Sequence, residues 1–253
     1  MFPSLISFVG VDAKTDLDAL LEIQDLDLLP EDLNEPIIEW GVLVSPQRAG
    51  KQNRYPSIDF AKEFIFNGKF ETIAKSIHLC GGAVDDYLYR PESDIGFLAN
   101  YSKARLQLNF AMDKYDPVEL REIILDKLLV ERHEIILQYN KSKKKFVDDL
   151  ILKLKERNAI LPNLSILYDG SGGFGRTIEK FEPPVGEYFT GYAGGLNPDN
   201  VKDIITNINS VVGEYDYYID MESGIRTNDL LDLEKCKSVI ATARKFVNFP
   251  IFE

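Results

Sequence analysis

The chain has 253 residues, of which 45% are apolar and 28% charged, an ordinary globular balance with enough apolar material for a sizeable core in one large α/β domain or two small ones. Its formal charge of −12 is not offset by any Lys/Arg stripe with interleaved aromatics, which argues against nucleic acid or an anionic membrane as partner. No apolar run approaches the ~18 residues that a membrane span needs. Cys80 and Cys236 are far apart and match no metal spacing, so no metal is expected. Met1 to Gly10 has no positive n-region and reads as a strand, not a signal peptide, so the expected location is the cytoplasm.

In chain order, short β-rich runs recur about every thirty residues, and most are followed by a helical pattern. Leu5–Gly10 is the first run. The amphipathic Leu17–Leu29 follows it, with Thr15 or Asp16 as cap. Ile38–Ser45 is the second, trailed by a polar loop with Arg48, Lys51 and Arg54 and a helix starting near Ser57. Ile77–Cys80 is the third, and Pro91 interrupts the helical stretch after it. Leu106–Phe110 is the fourth; Asp116 and Pro117 open a helix running through Val130, proline falling at the first helical position where its missing N–H is harmless.

Glu134–Tyr139 is the fifth run, with Lys143–Asn158 as the helix behind it and Lys143, Lys144 and Lys145 as a solvated helix start. Leu164–Tyr168 is the sixth, followed by a short, proline-rich return. Phe189–Ala193 is the seventh, with Asn197 placed to cap a helix over Pro198–Ile208. Tyr217–Asp220 is the eighth, and Asn228 precedes a long helix to Phe246. Eight strands with interleaved helices in this length predict a single parallel (β/α)8 TIM barrel spanning residues 1–253. An open doubly wound sheet is the competing topology, but the glycine fingerprint expected after its first strand is missing.

In a barrel, chemistry sits at the carboxyl ends of the strands, which singles out Val9, Asp12, Ser45, Arg54, Cys80, Asn109, Asp169, Gly194, Gly195, Asp220, Ser223 and Gly224. Gly194 and Gly195 carry no side chain to block an anion, and Ser223 and Gly224 offer backbone amides from the next loop. Glu222 opposes this, since it sets a carboxylate beside the proposed anion unless it swings outward. Asp169, delivered by an apolar run into a glycine-rich turn, is the candidate general acid, because desolvation there would raise its pKa. Its plain alternative is a loop-capping carboxylate. Arg54 is a candidate anchor for a substrate anion, or simply an exposed loop arginine. Asp12 and Cys80 end their strands and are candidate bases, though a structural role suits each as well. His78 and His133 read as structural. Gly170 to Gly175 spells G-x-G-x-x-G, yet it follows the sixth strand and opens no long helix, so a nucleotide cofactor is not expected.

These residues resemble phosphoribosylanthranilate isomerase, a (β/α)8 enzyme of tryptophan biosynthesis. The resemblance is carried by Leu167–Thr177, by Ala193–Val201 (Ala-Gly-Gly-Leu-Asn-Pro-Asp-Asn-Val), by Asp220–Ile225 with Asp232–Lys235 and, in the first half, by Gly41–Val44 with Asn53–Ser57. It is specific from Leu164 to Arg244, weaker before, and about Cys80 to Leu161 reduces to the barrel pattern. The resemblance implies an Amadori-type aldose–ketose isomerisation of a phosphorylated sugar. In it Asp169 protonates the ring oxygen, Arg54 anchors substrate, and Gly194, Gly195, Ser223 and Gly224 hold phosphate. The family's base is a first-strand cysteine; here Val9 stands in its place and cannot take a proton, so Asp12 or Cys80 would have to replace it. A catalytically silent sugar-phosphate binder and a lyase or epimerase on the same scaffold stay open, as do the monomer and the homodimer.

Overall fold

In the computed structural model, residues 2–25, 37–130, 133–157, 159, 161–170 and 180–246 are described. Eight strands close into an all-parallel barrel in sequence order: β1 (Leu5–Val9), β2 (Ile37–Val44), β3 (Ala74–Cys80), β4 (Arg105–Asn109), β5 (Ile135–Tyr139), β6 (Leu164–Asp169), β7 (Phe189–Ala193) and β8 (Tyr217–Met221). Closure is made by β1, which pairs Leu5 with Ile37 of β2 on one side and with Tyr218 of β8 on the other. The helices between them are α1 (Leu17–Asp25), α2 (Ile58–Phe66), α3 (Gly82–Tyr89), α4 (Asp94–Tyr101), α5 (Pro117–Val130), α6 (Lys144–Glu156), α7 (Val201–Val212) and α8 (Leu233–Ala243). The predicted (β/α)8 barrel is therefore the observed fold. Among the described residues no helix is long and apolar enough to cross a membrane.

Local chemistry explains most boundaries. Asp16 caps α1 by accepting from the Asp18 and Ala19 amides, and Ser57 caps α2 through the Phe60 amide. Asp116 accepts from the Val118 and Glu119 amides at 2.9 Å each, ahead of Pro117. Pro91 separates α3 from α4, and Ser93 restarts the helix by accepting from Gly96. The expected extension of α1 to Leu29 falls outside the described residues, as does the glycine-rich run 171–179. At α7 the expectation needs correction: the helix begins at Val201, and Asn197 instead closes the preceding turn by accepting from the Asp199 amide. Asn228 precedes the last helix as expected, but not directly: with φ of +53° at Asn228 and +60° at Asp229, these residues turn a small hairpin, β9 (Arg226–Thr227) with β10 (Leu230–Leu231), and Asp232 caps α8.

Strand alternation sorts the chain into two environments. Outward-facing Phe8, Trp40 and Val42 are fully buried under the helices, with the Phe8 and Trp40 rings 5.2 Å apart. The barrel interior is more polar. Near the amino ends of the strands Arg105 bridges Glu39 (3.3 Å) and Glu134 (2.8 Å), and its guanidinium lies 4.4 Å from the Tyr218 ring centre. An apolar plug of Leu5, Ile136, Leu167, Ala193 and Tyr218 occupies the interior as well.

Candidate functional site

The carboxyl ends of the strands enclose a cavity of about 100 Å³, the space of a few water molecules. Asp169, Gly194, Gly195, Ser223 and Gly224 line it together, with Val9, His78, Asp220 and Glu222 among the other wall residues. Five of the seven predicted site residues thus share one wall. Asp12 and Arg54 are not in it.

The loops after β7 and β8 face each other at close range. A Cβ on Gly224 would stand 1.9 Å from the Leu196 carbonyl oxygen, so only glycine fits that approach. Gly194 and Gly195 adopt φ of +130° and +66°. The Gly195 carbonyl is held by the side-chain amides of Asn200 (2.9 Å) and Asn197 (3.2 Å), which fixes the peptide orientation of this loop.

Arg54 extends from the loop after β2 toward Glu222 of the cavity wall, and what it meets there is protein. It donates to Glu222 at 2.8 Å and to Asp229, at the tip of the β9–β10 hairpin, at 2.6 Å. Glu222, the residue expected to trouble an anion site, is turned into this ion pair while still lining the cavity. Burial raises its carboxyl above the ordinary value, with Arg54 and Arg226 pulling the other way.

Asp12 has a different role from the one expected of a base. It is 1% exposed, and Oδ2 is 3.1 Å from the buried Arg226 guanidinium and accepts from the Leu231 amide; Oδ1 accepts from the Lys14 amide. With its lone pairs committed this way, Asp12 ties the β1 loop to the hairpin. Cys80, the other candidate, packs with Val9, Leu43 and Tyr55, on the side of the mouth where the first-strand cysteine would stand. Burial pushes its thiol up, and Asn109 donates to the sulfur at 3.6 Å.

Three cavity-side groups have roles that sequence reasoning does not anticipate. His78, expected to be structural, lines the cavity; its Nε2 is buried, has no hydrogen-bond partner and lies 3.8 Å from Asp220 Oδ2. Burial, aided by Arg105, lowers its pKa to about 3, so it is neutral. Asp220, singled out only as a strand end, is buried, with 8% of its surface exposed, and lines the cavity. Burial, then Glu39 and Asp169, raise its carboxyl well above the ordinary range against Arg105. Lys143, expected to be solvated, is instead 4% exposed. It donates to Gln138, sits 4.8 Å from the Phe110 ring centre, and has its pKa lowered by burial to about 8 despite Asp169 and Cys80. The sequence does carry a usable signal: β3 and β4 have polar residues at every second position (Ser76, His78; Arg105, Gln107, Asn109), which in a barrel strand means a polar inward face.

No protein-family model matches the chain, and no curated protein matches it in sequence. Among solved structures it is similar to N-(5'-phosphoribosyl)anthranilate isomerase from Pyrococcus furiosus (15% identity, TM-score 0.54, covering 95% of this chain and 98% of that one). The phosphoribosylanthranilate isomerase of Thermotoga maritima, crystallised as monomers of a dimeric enzyme, gives 17% identity and a TM-score of 0.52 over 95% and 98%. That of Thermococcus kodakaraensis gives 16% and 0.53 over 95% and 99%. At these identities the likeness shows the barrel fold.

Proposed function

We propose that the protein is a phosphoribosylanthranilate isomerase-like barrel that binds a phosphorylated sugar at the carboxyl ends of its strands and performs an Amadori-type aldose–ketose isomerisation. The single observation that supports this most is the close approach of the β7 and β8 loops beside Asp169, around one cavity. In this reading the amides of Gly194, Gly195, Ser223 and Gly224 hold the phosphate, where backbone dipoles cost no reorganisation. Asp169 protonates the sugar ring oxygen and opens the ring, and a base removes the C2′ proton. The solved neighbours are phosphoribosylanthranilate isomerases, which favours that substrate class.

The test is turnover of phosphoribosylanthranilate by the native chain and by Asp169→Asn. Loss of a general acid should lower the rate by about 10²–10⁴-fold, and undiminished turnover removes Asp169 from its role. Inorganic phosphate should raise the Tm of the native chain and leave that of Gly195→Asp unchanged. An equal rise in both contradicts the anion site.

A second reading, a catalytically silent binder of the same ligand class, is favoured by two observations: Val9 replaces the family's base, and Arg54 is engaged by two carboxylates. Phosphate-dependent stabilisation without turnover selects it.

A further inference from the structure

The isomerisation proposed above needs a proton acceptor, and the first strand does not supply one. Two candidates from the sequence are poorly placed: Asp12 is committed to Arg226 and to backbone amides, and Cys80 packs with Val9, Leu43 and Tyr55 and is not among the residues lining the cavity. The cavity wall contains another arrangement. Asp220 projects from β8 and His78 from β3, both line the cavity with Asp169, and Oδ2 of the first lies 3.8 Å from Nε2 of the second. That nitrogen is buried without a hydrogen-bond partner, an arrangement that is penalised unless something else compensates.

Gly41 of β2 adjoins the pair: a Cβ there would meet Ser76 Oγ at 2.7 Å, Val9 Cγ2 at 3.2 Å and His78 Nε2 at 3.4 Å. The imidazole therefore stands beside the residue that replaces the family's cysteine. We propose that Asp220 is the base of the isomerisation, with His78 as its positioning residue, so that the proton-accepting function has moved from the first strand to the β3–β8 pair. This inference rests on the isomerase reading and names the group that reading lacks.

Asp169 gives its proton to the ring oxygen as the C1′–O bond breaks, and the amine lone pair forms C1′=N⁺. The Asp220 carboxylate takes the C2′ proton. The C2′–H bonding pair becomes C1′=C2′, and the C=N⁺ pair returns to nitrogen. The resulting enolamine passes to the ketone as C2′–OH loses its proton and C1′ gains one. Solvent then returns the proton on Asp220 to Asp169. During the step His78 directs an Nε2–H toward the Asp220 carboxylate and closes the 3.8 Å separation when the charge forms, as catalytic hydrogen bonds do on forming the reactive complex. A carboxyl held above its ordinary pKa by burial is a stronger base than an exposed one. The charged or titratable groups facing Asp220 are Glu39 of β2, Arg105 of β4, Asp169 of β6, and Tyr218 and Glu222 from its own strand and the loop after it. Arg105 also faces His78.

The experiment measures kcat/KM against pH with phosphoribosylanthranilate for the full chain and for Asp220→Asn, His78→Gln and His78→Leu, with Tm recorded for each. Asp220→Asn should fall by about 10²–10⁴-fold while its Tm stays at or above native, because a desolvated carboxyl has been removed. His78→Leu should lose kcat with little change in KM and move the acid limb of the profile to higher pH, since the carboxylate loses its donor. His78→Gln, which keeps an N–H, should restore the limb toward its native position. Native turnover with Asp220→Asn unimpaired overturns the assignment and leaves the isomerase reading intact. A phosphate-stabilised native chain with no turnover overturns both. A limb that ignores the His78 substitutions overturns the positioning role alone.

Discussion

The two sides of the barrel mouth are built from different materials. Around β7 and β8 the wall is backbone: Gly194, Gly195, Ser223 and Gly224, with their loops packed so closely that a single methyl on Gly224 would collide with a carbonyl. Around β1 to β3 the wall is side chain, with Val9, Leu43, Tyr55 and Cys80 packed into a small apolar cluster. On the proposed reading the first side would accept an anion of any origin, because amides have no chemical preference beyond charge and shape. The second side carries His78 and is where Val9 departs from the isomerase pattern, while the carboxylates Asp169 and Asp220 come from β6 and β8. The backbone loops and the side-chain wall can therefore be altered separately by substitution.

The largest expected effect lies beneath both sides, in the strap joining them. Asp12→Ala leaves the buried Arg226 guanidinium with only the half-exposed Asp229 carboxylate, 3.7 Å away, and should destabilise the fold by about 3 kcal/mol, read by denaturant unfolding. A loss under about 1 kcal/mol, the worth of an exposed pair, would show that Arg226 finds another partner. Next, Gly224→Ala should push the β7 and β8 loops apart, at about 1–3 kcal/mol, and abolish the phosphate-dependent rise in Tm. Retention of that rise would detach the anion site from this approach.

A pH measurement probes Lys143, at the mouth between the two sides. Its folded pKa of about 8 lies below the ordinary 10.5, so between those values the unfolded chain holds more protons and stability rises with pH. The penalty of burying the ammonium is fully present below pH 8. Lys75 shifts in the same direction, so the contribution is isolated by Lys143→Met, which should be more stable at neutral pH by about 2 kcal/mol and show a correspondingly smaller rise. An unchanged pH slope would place the amine in water. The smallest effect belongs to Val9→Cys, a near-isosteric change expected to alter stability by less than about 1.5 kcal/mol. With Asp220 as base its turnover should match native, and a rise of about tenfold or more, against the 10²–10⁴-fold that a positioned base supplies, would return the base to the first strand.

The barrel is legible in the sequence because its signals are repetitive. Eight apolar runs with helical intervals, caps at Ser57 and Asp116, and glycines after β7 all state locally what the fold needs globally. The backbone wall of the mouth is legible for a related reason: a glycine pair closing a strand offers only main chain, so main chain is what it contributes. What the sequence hides is whatever depends on a partner distant along the chain. Nothing near Arg54 announces Asp229, 175 residues away, and nothing near His78 announces Asp220. Lys143 is hidden because a lysine triplet at a helix start resembles a solvated face, and only closure of the barrel brings its first member over Phe110 and toward Asp169. The hairpin at Asn228 is obscured by the strong helical pattern after it, although Asn-Asp is itself a turn dipeptide.

The Arg54 contacts bear on how a ligand would enter. Glu222 and Asp229 already serve as counterions to the guanidinium. An incoming dianion that claimed Arg54 would have to displace them, so capture becomes an exchange of one anion for another rather than the neutralisation of a bare cation. Such an exchange changes the local charge less than capture by an unpaired arginine, should respond weakly to ionic strength, and ends with the hairpin released from the loop after β2. Occupancy of the mouth would then be reported at its rim, at Asp229, while Asp12 and Arg226 still hold the hairpin to the β1 loop.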